Sequence, residues 1–407
     1  MRRLDLRKVQ GARSSRIRYI NRQIVLNYVR EREPISRAEI ARETALQRST
    51  VSTIVEELKA DGLVEEIGAG KSTGGRRPTL LRLHAAGPIA IGVDVTPSRV
   101  TVATSDLAGR VLESAKFPTD REPEKMICQV IERVREFAGK DRLRTIDHVG
   151  VSLPGLVDPV TGRVIYVPYF KWRDLPVAER ITAATGLDVT VDNDANAAAL
   201  AELWFGRPEV SGARDFIMVL VAEGIGTGIV FDGQIYRGER GAAGEFGHMI
   251  IGPHGPAACS CGNYDCWEAF SSERASIARY AQAKNCGEDR AKSVEGGPPA
   301  LEFLHLVEQA MGGEGAAARA LAETAHYLGI GISNLIVGLS PEAVVVGGTI
   351  TRAWPLIADE LSATIQQSIR RGLPSARIAA STLGDQPTLM GAISLGLTRK
   401  FAFIPAA

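Results

Sequence analysis

Three of the chain's five cysteines crowd into "CSCGNYDCWE", residues 259–268. Thiols so close together can join as a disulfide, lose their protons to a metal ion, or meet by accident of packing. The spacing alone leaves all three open. An odd, sparse cysteine count in 407 residues argues against an oxidised disulfide framework and for a cytoplasmic protein. A second stretch with chemical promise is "EGIGTG", residues 223–228. Backbone amides of a glycine-rich turn can cradle a phosphate. This one sits inside an expected hairpin rather than opening a helix, so it is no dinucleotide fingerprint. A tight hairpin without a ligand explains it equally well.

The third group lies near the start. In "QRSTVSTIVEELKADGL", Val51, Ile54, Val55 and Leu58 form one apolar stripe, and Gly62 stops the helix. Its first turns carry Gln47, Arg48, Ser49, Thr50, Ser52 and Thr53, donors suited to base edges and phosphates. Two helices must hold it. Ile20, Ile24, Val25, Tyr28 and Val29 mark the first, which Pro34 ends. The second opens at Ser36 with Glu39 three residues on, a capping box, and is expected to bury Ala38, Ile40 and Ala41. Three helices with a tight turn at Thr44–Leu46 are helix-turn-helix spacing. Strands "LVEEI" and "TLLRL" then flank a loop carrying Lys71, Arg76 and Arg77, a wing whose arginines suit a minor groove or phosphates.

Charge supports DNA as the partner of this segment. Residues 1–84 hold 18 Lys and Arg against 10 Asp and Glu, whereas the rest hold 30 against 37. A basic head on an acidic body suits a polyanion. A solvated helical interaction module is the bland alternative, and the wing counts against it.

Beyond His84 the pattern becomes α/β. "IAIGVDV", "RVTVATSD" and "VLESAKF" read as a meander, followed by a helix, the buried strand "DHVGVSLPG", a further helix and "DVTVDND". A second meander begins at "FIMVLVAEGIGTGIVFDGQIY". Strands opening both halves suggest two related lobes with a cleft between them. With 45% hydrophobic and 23% charged residues the chain has the composition of a soluble globular protein. It has no run of eighteen apolar residues and no apolar segment behind its basic N-terminus, so neither a membrane helix nor a signal peptide is expected.

Together, "GVSLPGLVD" (150–158), "VDNDANAAALAE" (191–202), "GIGTGIVFDGQIYRGERGAAGEFGH" (224–248) and "CSCGNYDCWE" resemble the ROK family of bacterial sugar kinases and winged-helix repressors. With the helix-turn-helix, the resemblance covers nearly the whole chain and points to the repressor branch. It implies an N-terminal winged helix-turn-helix followed by a two-lobed, actin-like (ribonuclease H-like) sugar-kinase-type domain. The boundaries expected are 1–84 for the winged helix, 85–200 for the first lobe and 201–385 for the second, with a C-terminal helix, 386–403, returning to the first.

The resemblance also implies a structural zinc held by His248, Cys259, Cys261 and Cys266. Three thiolates and an imidazole would close a tetrahedral site with no position for water. His254 is a conceivable substitute ligand. It further implies an effector pocket in which Asn193, Asp194, Glu245, His248 and Glu268 hold sugar hydroxyls. A bland reading remains for Asp194, at the head of a helix, as a cap.

Departures from the family's kinases decide the activity expected. Their glycine-rich phosphate loop is replaced by "DVTPSRV", 94–100, where Pro97 has no amide to donate. Glu223 adds a negative charge beside the second glycine stretch. Asp194, matching the kinases' base, is kept, but a base without a held phosphoryl donor does nothing. Tyr169 in "PYFKW" stands where many such kinases carry asparagine. The reading that follows is a sugar-responsive repressor, not an enzyme, that binds operator DNA as a homodimer or dimer of dimers. The rival is an ATP-dependent sugar kinase carrying a DNA-binding domain.

Overall fold

The computed structural model describes residues 14–70, 77–84, 89–140, 146–206, 210, 212–284, 299–369, 372, 375–384 and 386–401. Helices α1 (Ser14–Arg32), α2 (Arg37–Thr44) and α3 (Arg48–Ala60) precede the wing strands β2 (Val64–Ala69) and β3 (Thr79–Leu83). The capping box at α2 is present in full, with the Ser36 amide donating to Glu39 at 2.9 Å. Ile40 and Ala41 are buried, but Ala38 is exposed, contrary to expectation. An eight-residue helix at the surface of a small domain buries only a narrow stripe. Val51, Ile54, Val55 and Leu58 all face the core beside Val25, Leu26 and Val29 of α1. A third strand, β1 (Ile35–Ser36), pairs with β3 and gives the order β1-β3-β2. Two residues are too few to leave a periodic signal, so the sequence did not announce it.

Two five-stranded sheets follow. The first contains β4 (Ile89–Val95), β5 (Arg99–Ser105), β6 (Val111–Pro118), β7 (Ile146–Leu153) and β11 (Asp188–Asn193), in the order β11-β7-β4-β5-β6. The second contains β12 (Phe216–Val221), β13 (Ile225–Phe231), β14 (Gln234–Ile235), β15 (Ala343–Gly347) and β16 (Arg377–Ala380), in the order β14-β13-β12-β15-β16. In each, an antiparallel meander leads to two strands added in parallel. The lobes therefore share one plan, which the letters suggested and the strand order establishes. Helices α4 (Pro123–Lys140) and α5 (Val177–Thr185) belong to the first lobe. Between β7 and α5 lies a small sheet of β8 (Leu156–Asp158), β9 (Arg163–Val167) and β10 (Trp172–Leu175), again too short to be read in advance.

Helix α6 (Asp194–Phe205) follows β11 and runs between the lobes. The second lobe adds α7 (Trp267–Ser271), α8 (Glu273–Lys284), α9 (Pro299–Met311), α10 (Gly315–Leu339) and α11 (Trp354–Ser368). The last helix, α12 (Pro387–Phe401), returns to the first lobe, where a Cβ on Gly150 would collide with the Ala392 carbonyl and Gly396 amide. At its end the Phe401 carbonyl accepts from the Asn27 side chain at 3.0 Å. Leu389, Leu397 and Phe401 of α12 share one hydrophobic cluster with Val25, Leu26 and Val29, so the winged helix and first lobe are packed together rather than strung on a linker. Among the described residues no helix is long and apolar enough to cross a membrane.

Candidate functional site

A cavity of about 200 Å³ opens between the lobes. Four of the five residues expected to face a sugar line it: Asn193, Asp194, Glu245 and Glu268. Asn193 is the N-cap of α6, its Oδ1 accepting from the Ala195 amide at 2.9 Å and the Asn196 amide at 3.3 Å. Its Nδ2 donates to the Gly155 carbonyl at 3.0 Å, so only one N–H is left over. The capping duty weighed for Asp194 thus falls on its neighbour. Asp194 accepts from the Ala195 amide at 2.8 Å. Burial, reinforced by the charge of Glu245, pushes Asp194 up to about 6.

Glu268 is a clamp. One oxygen accepts from the Ile225 amide at 3.0 Å, the other from the Ser260 amide at 2.6 Å and the Arg274 guanidinium at 3.2 Å. It thereby ties the cysteine loop to β13. His248 is not part of the cavity lining; it stands behind Glu245, its Nε2 3.5 Å from a Glu245 oxygen. Burial also holds Glu245 above the usual carboxylate range.

His248 presents its other face to sulfur, with Nδ1 3.2 Å from Cys259 Sγ. His248, Cys259, Cys261 and Cys266 bring ligand atoms to within 4.8 Å of one another. Cys261 and Cys266 are 3.7 Å apart at sulfur, far beyond a disulfide bond of about 2 Å, and both are free thiols. A short 3-10 turn over Glu245–His248 delivers the imidazole. The thiols sit on a loop closed by Cys259 N to Asn263 O at 2.8 Å and Trp267 N to Met249 O at 2.7 Å. Gly262, at φ +93°, turns the chain between Cys261 and Cys266. Trp267 anchors the loop, fully buried against Gly331 of α10. His254 is exposed and is not in the cluster. The donor set fits one metal ion with four protein ligands.

The other wall is the turn from Asp94 to Arg99, closed by Thr96 N to Arg99 O at 2.9 Å, and Pro97 lies in the lining. The glycines of "EGIGTG" have a packing reason. A Cβ at Gly226 would meet Ala195, and one at Gly228 the Ala195 carbonyl, so β13 can lie on α6 only without side chains there. Sequence reasoning did not identify three residues of this region. Asp94, buried, is pushed up to about 7 by burial and by the charge of Asp194. Glu273, also buried, is pushed up to about 8 by burial, with Glu223 adding to it. Arg274 packs over Tyr169 at 5.5 Å. Asp94 opens the "DVTPSRV" segment but its burial carried no sequence signal, and Glu273 and Arg274 sit in an ordinary-looking stretch that only the fold turns inward.

On the winged helix, Gln47, Arg48, Ser49, Ser52 and Thr53 are exposed and Thr50 partly so. Gln47 precedes α3 without a side-chain cap bond, and no acidic residue occupies the first turn. The Thr53 hydroxyl donates to the Ser49 carbonyl at 3.1 Å. Behind the helix the acids are paired: Glu66 with Arg37 at 2.8 Å and Lys59 at 3.1 Å. Arg77 is exposed beside the wing; Lys71 and Arg76 lie outside the described residues.

A winged helix packed on a duplicated, actin-like pair of lobes with a polar cleft between them defines a sugar-kinase-fold protein fitted with a DNA-binding domain. Residues 90–399 match the ROK family and residues 24–77 the MarR family, so the chain belongs to the ROK family, with a MarR-like winged helix at its head. It is 32% identical over 393 residues to the xylose repressor of Caldicellulosiruptor bescii, covering 95% of this chain and 98% of the relative. It is 33% identical over 318 residues to the glucokinase of Streptomyces coelicolor, covering 75% of this chain and 97% of that enzyme. Among solved structures, a ROK family transcriptional regulator homologous to the Escherichia coli MLC protein superposes with a TM-score of 0.75 at 27% identity, over 93% of this chain and 96% of its own.

Proposed function

We propose that the chain is a sugar-responsive repressor of carbohydrate-use genes, with a sugar or sugar derivative as effector in the interlobe cleft. The observation that carries this reading is the contrast within one cavity. Carboxylates suited to hydroxyls line it, while on the wall that must hold phosphates in a kinase Pro97 stands in the Asp94–Arg99 turn and Glu223 and Glu273 add carboxyl groups. The full-length match to a repressor supports it. Residues 1–84 act as the DNA-binding domain, 85–200 with 386–403 as the first lobe and 201–385 as the second. Gln47, Arg48, Ser49, Thr50, Ser52 and Thr53 read bases and phosphates, and Arg76 and Arg77 grip the backbone or minor groove.

Coupling between the two functions runs along α6. Its first residues, Asn193 and Asp194, line the cleft. At its last turn the Arg30 guanidinium of α1 lies 5.0 Å from the Trp204 ring and 5.1 Å from the Phe401 ring. A sugar that pulls the lobes together moves one end of this rod, and the winged helix rides on the other. A homodimer on a pseudo-palindromic operator would then lose the spacing of its recognition helices. Between the lobes, Arg237 pairs with the buried Asp192 at 2.7 Å.

The metal is zinc, in a structural role: the donor set leaves no open position, and it fixes the loop from which Glu268 reaches the cleft. Asp194 and the glucokinase relative favour the kinase alternative. Mixing the protein with ATP, magnesium and hexoses decides it. The repressor reading expects no sugar phosphate, and turnover at about 1 per second or faster would establish an enzyme.

A further inference from the structure

At the carboxyl ends of the parallel strands β12 and β15 the cleft continues past the sugar-facing residues. Glu273 begins α8 there, its amide donating to the Ala222 carbonyl at 3.0 Å, next to Glu223 and Gly224. Its side chain is fully buried, yet neither carboxyl oxygen has a hydrogen-bond partner. Thr349, after Gly348 at the end of β15, approaches it closely enough to oppose the rise in its pKa but does not complete a hydrogen bond. The Tyr169 hydroxyl, at the junction with the first pocket, is likewise buried and unpartnered, and a Cβ on Gly224 would strike both it and Glu268. Buried polar groups are paired almost everywhere else in folded proteins, and each orphan costs about 1–3 kcal/mol. Groups held open at this cost inside a cavity are groups held for a ligand.

Resting on the sugar-effector reading, we propose that Glu273, Glu223 and Thr349 form a second subsite that binds the hydroxyls of a second sugar unit, so that the effector is a disaccharide or longer. The chemistry selects this occupant. A nucleotide phosphate would meet two carboxyl groups there, and the guanidinium beside them, Arg274, is spent on Glu268 and the Glu223 carbonyl at 2.9 Å, while Arg99 stands on the Asp94–Arg99 wall of the cavity. A protonated amine needs Glu273 ionised, and burial opposes that. Hydroxyls donate to a carboxylate and accept from a carboxylic acid, so they suit either state. Both pockets open into one cavity, Gly224 keeping the passage clear.

Titration calorimetry on the full-length protein tests this with glucose and xylose against cellobiose, maltose and xylobiose. At least one disaccharide should bind about tenfold or more tightly than its own monosaccharide. Glu273→Leu fills the buried space without a polar group; it should erase that margin, leave the monosaccharide within about twofold, and not lower the melting temperature. Thr349→Val should reduce the margin in the same direction. Disaccharides that bind no more tightly than monosaccharides, or a margin that survives Glu273→Leu, overturn the second subsite and leave the sugar reading standing. Failure of every sugar in the set to bind overturns both.

Discussion

The two ends of the cleft handle buried carboxyl groups in opposite ways. Beside the cysteine loop, Glu268 accepts from two backbone amides and an arginine, and Asn193 is locked as a helix cap. Beside β15, Glu273 is just as buried but neither of its oxygens completes a hydrogen bond, and on β4 Asp94 leaves one oxygen without a partner. The first end is pre-organised: its groups are fixed before a ligand arrives, which lowers the ordering cost of binding. The second end is polar but unsatisfied. It is a poor place for polyphosphate and a tolerable one for hydroxyls.

Breaking the pre-organised end should produce the largest effect. Cys261→Ser should abolish binding of about one zinc per chain by metal analysis and cost on the order of 4–5 kcal/mol, as loss of a structural metal does. Because Glu268 hangs from the same loop, sugar response should vanish with it. Full zinc loss without any change in melting temperature or in sugar binding would separate the cluster from the cleft. Next in size, Glu245→Ala should weaken sugar binding by about 10–100-fold, the worth of a lost hydrogen-bonding partner to a ligand, while operator affinity without sugar stays unchanged.

A third prediction moves to the DNA side. Arg77→Ala should weaken binding to all duplexes and lower the slope of log affinity against log salt by about one. Changes at Gln47 or Arg48 should instead alter sequence preference, by about 1–3 kcal/mol per base contact. Equal losses on every sequence from both kinds of change would remove α3 from base readout.

The smallest effect concerns pH and the unsatisfied end. Asp94 and Glu273 rise from ordinary values of 3.8 and 4.5 to about 7 and about 8 on folding. Between about pH 4 and pH 8 these two groups therefore bind more protons in the folded protein than in the unfolded chain, and their contribution to stability falls as pH rises through that window. Asp94→Asn should flatten the fall between about pH 5 and 7 in thermal melts. A stability that climbs with pH over the same range contradicts the placement of these groups.

Much of this organisation was legible in the letters, and what was not has physical causes. The Ser36–Glu39 box and the Val51–Leu58 stripe are local signals, so the helix-turn-helix was readable. The three cysteines were conspicuous, though joining His248 to them needed the family pattern. Short strands left no period, so β1 and the β8–β10 sheet went unseen. Ala38 was misjudged because helical periodicity does not say how wide the covered face is. Gly226 and Gly228, which suited a phosphate turn and a bare hairpin equally well, serve the packing of β13 on α6. Glu273 carried no signal at all. An acidic residue opening a helix is ordinary until tertiary structure closes over it.

The central claim is that sugar binding alone, without phosphorylation, releases the protein from DNA. Fluorescence anisotropy on a labelled operator duplex, selected in vitro with the full-length protein, tests it most directly. The sugar found by calorimetry is titrated with and without ATP and magnesium, and products are read by mass spectrometry. The account predicts release at the same sugar concentration in both arms, no sugar phosphate, and a Glu245→Ala variant that stays bound throughout. Release that requires ATP and is accompanied by phosphorylated sugar would contradict it.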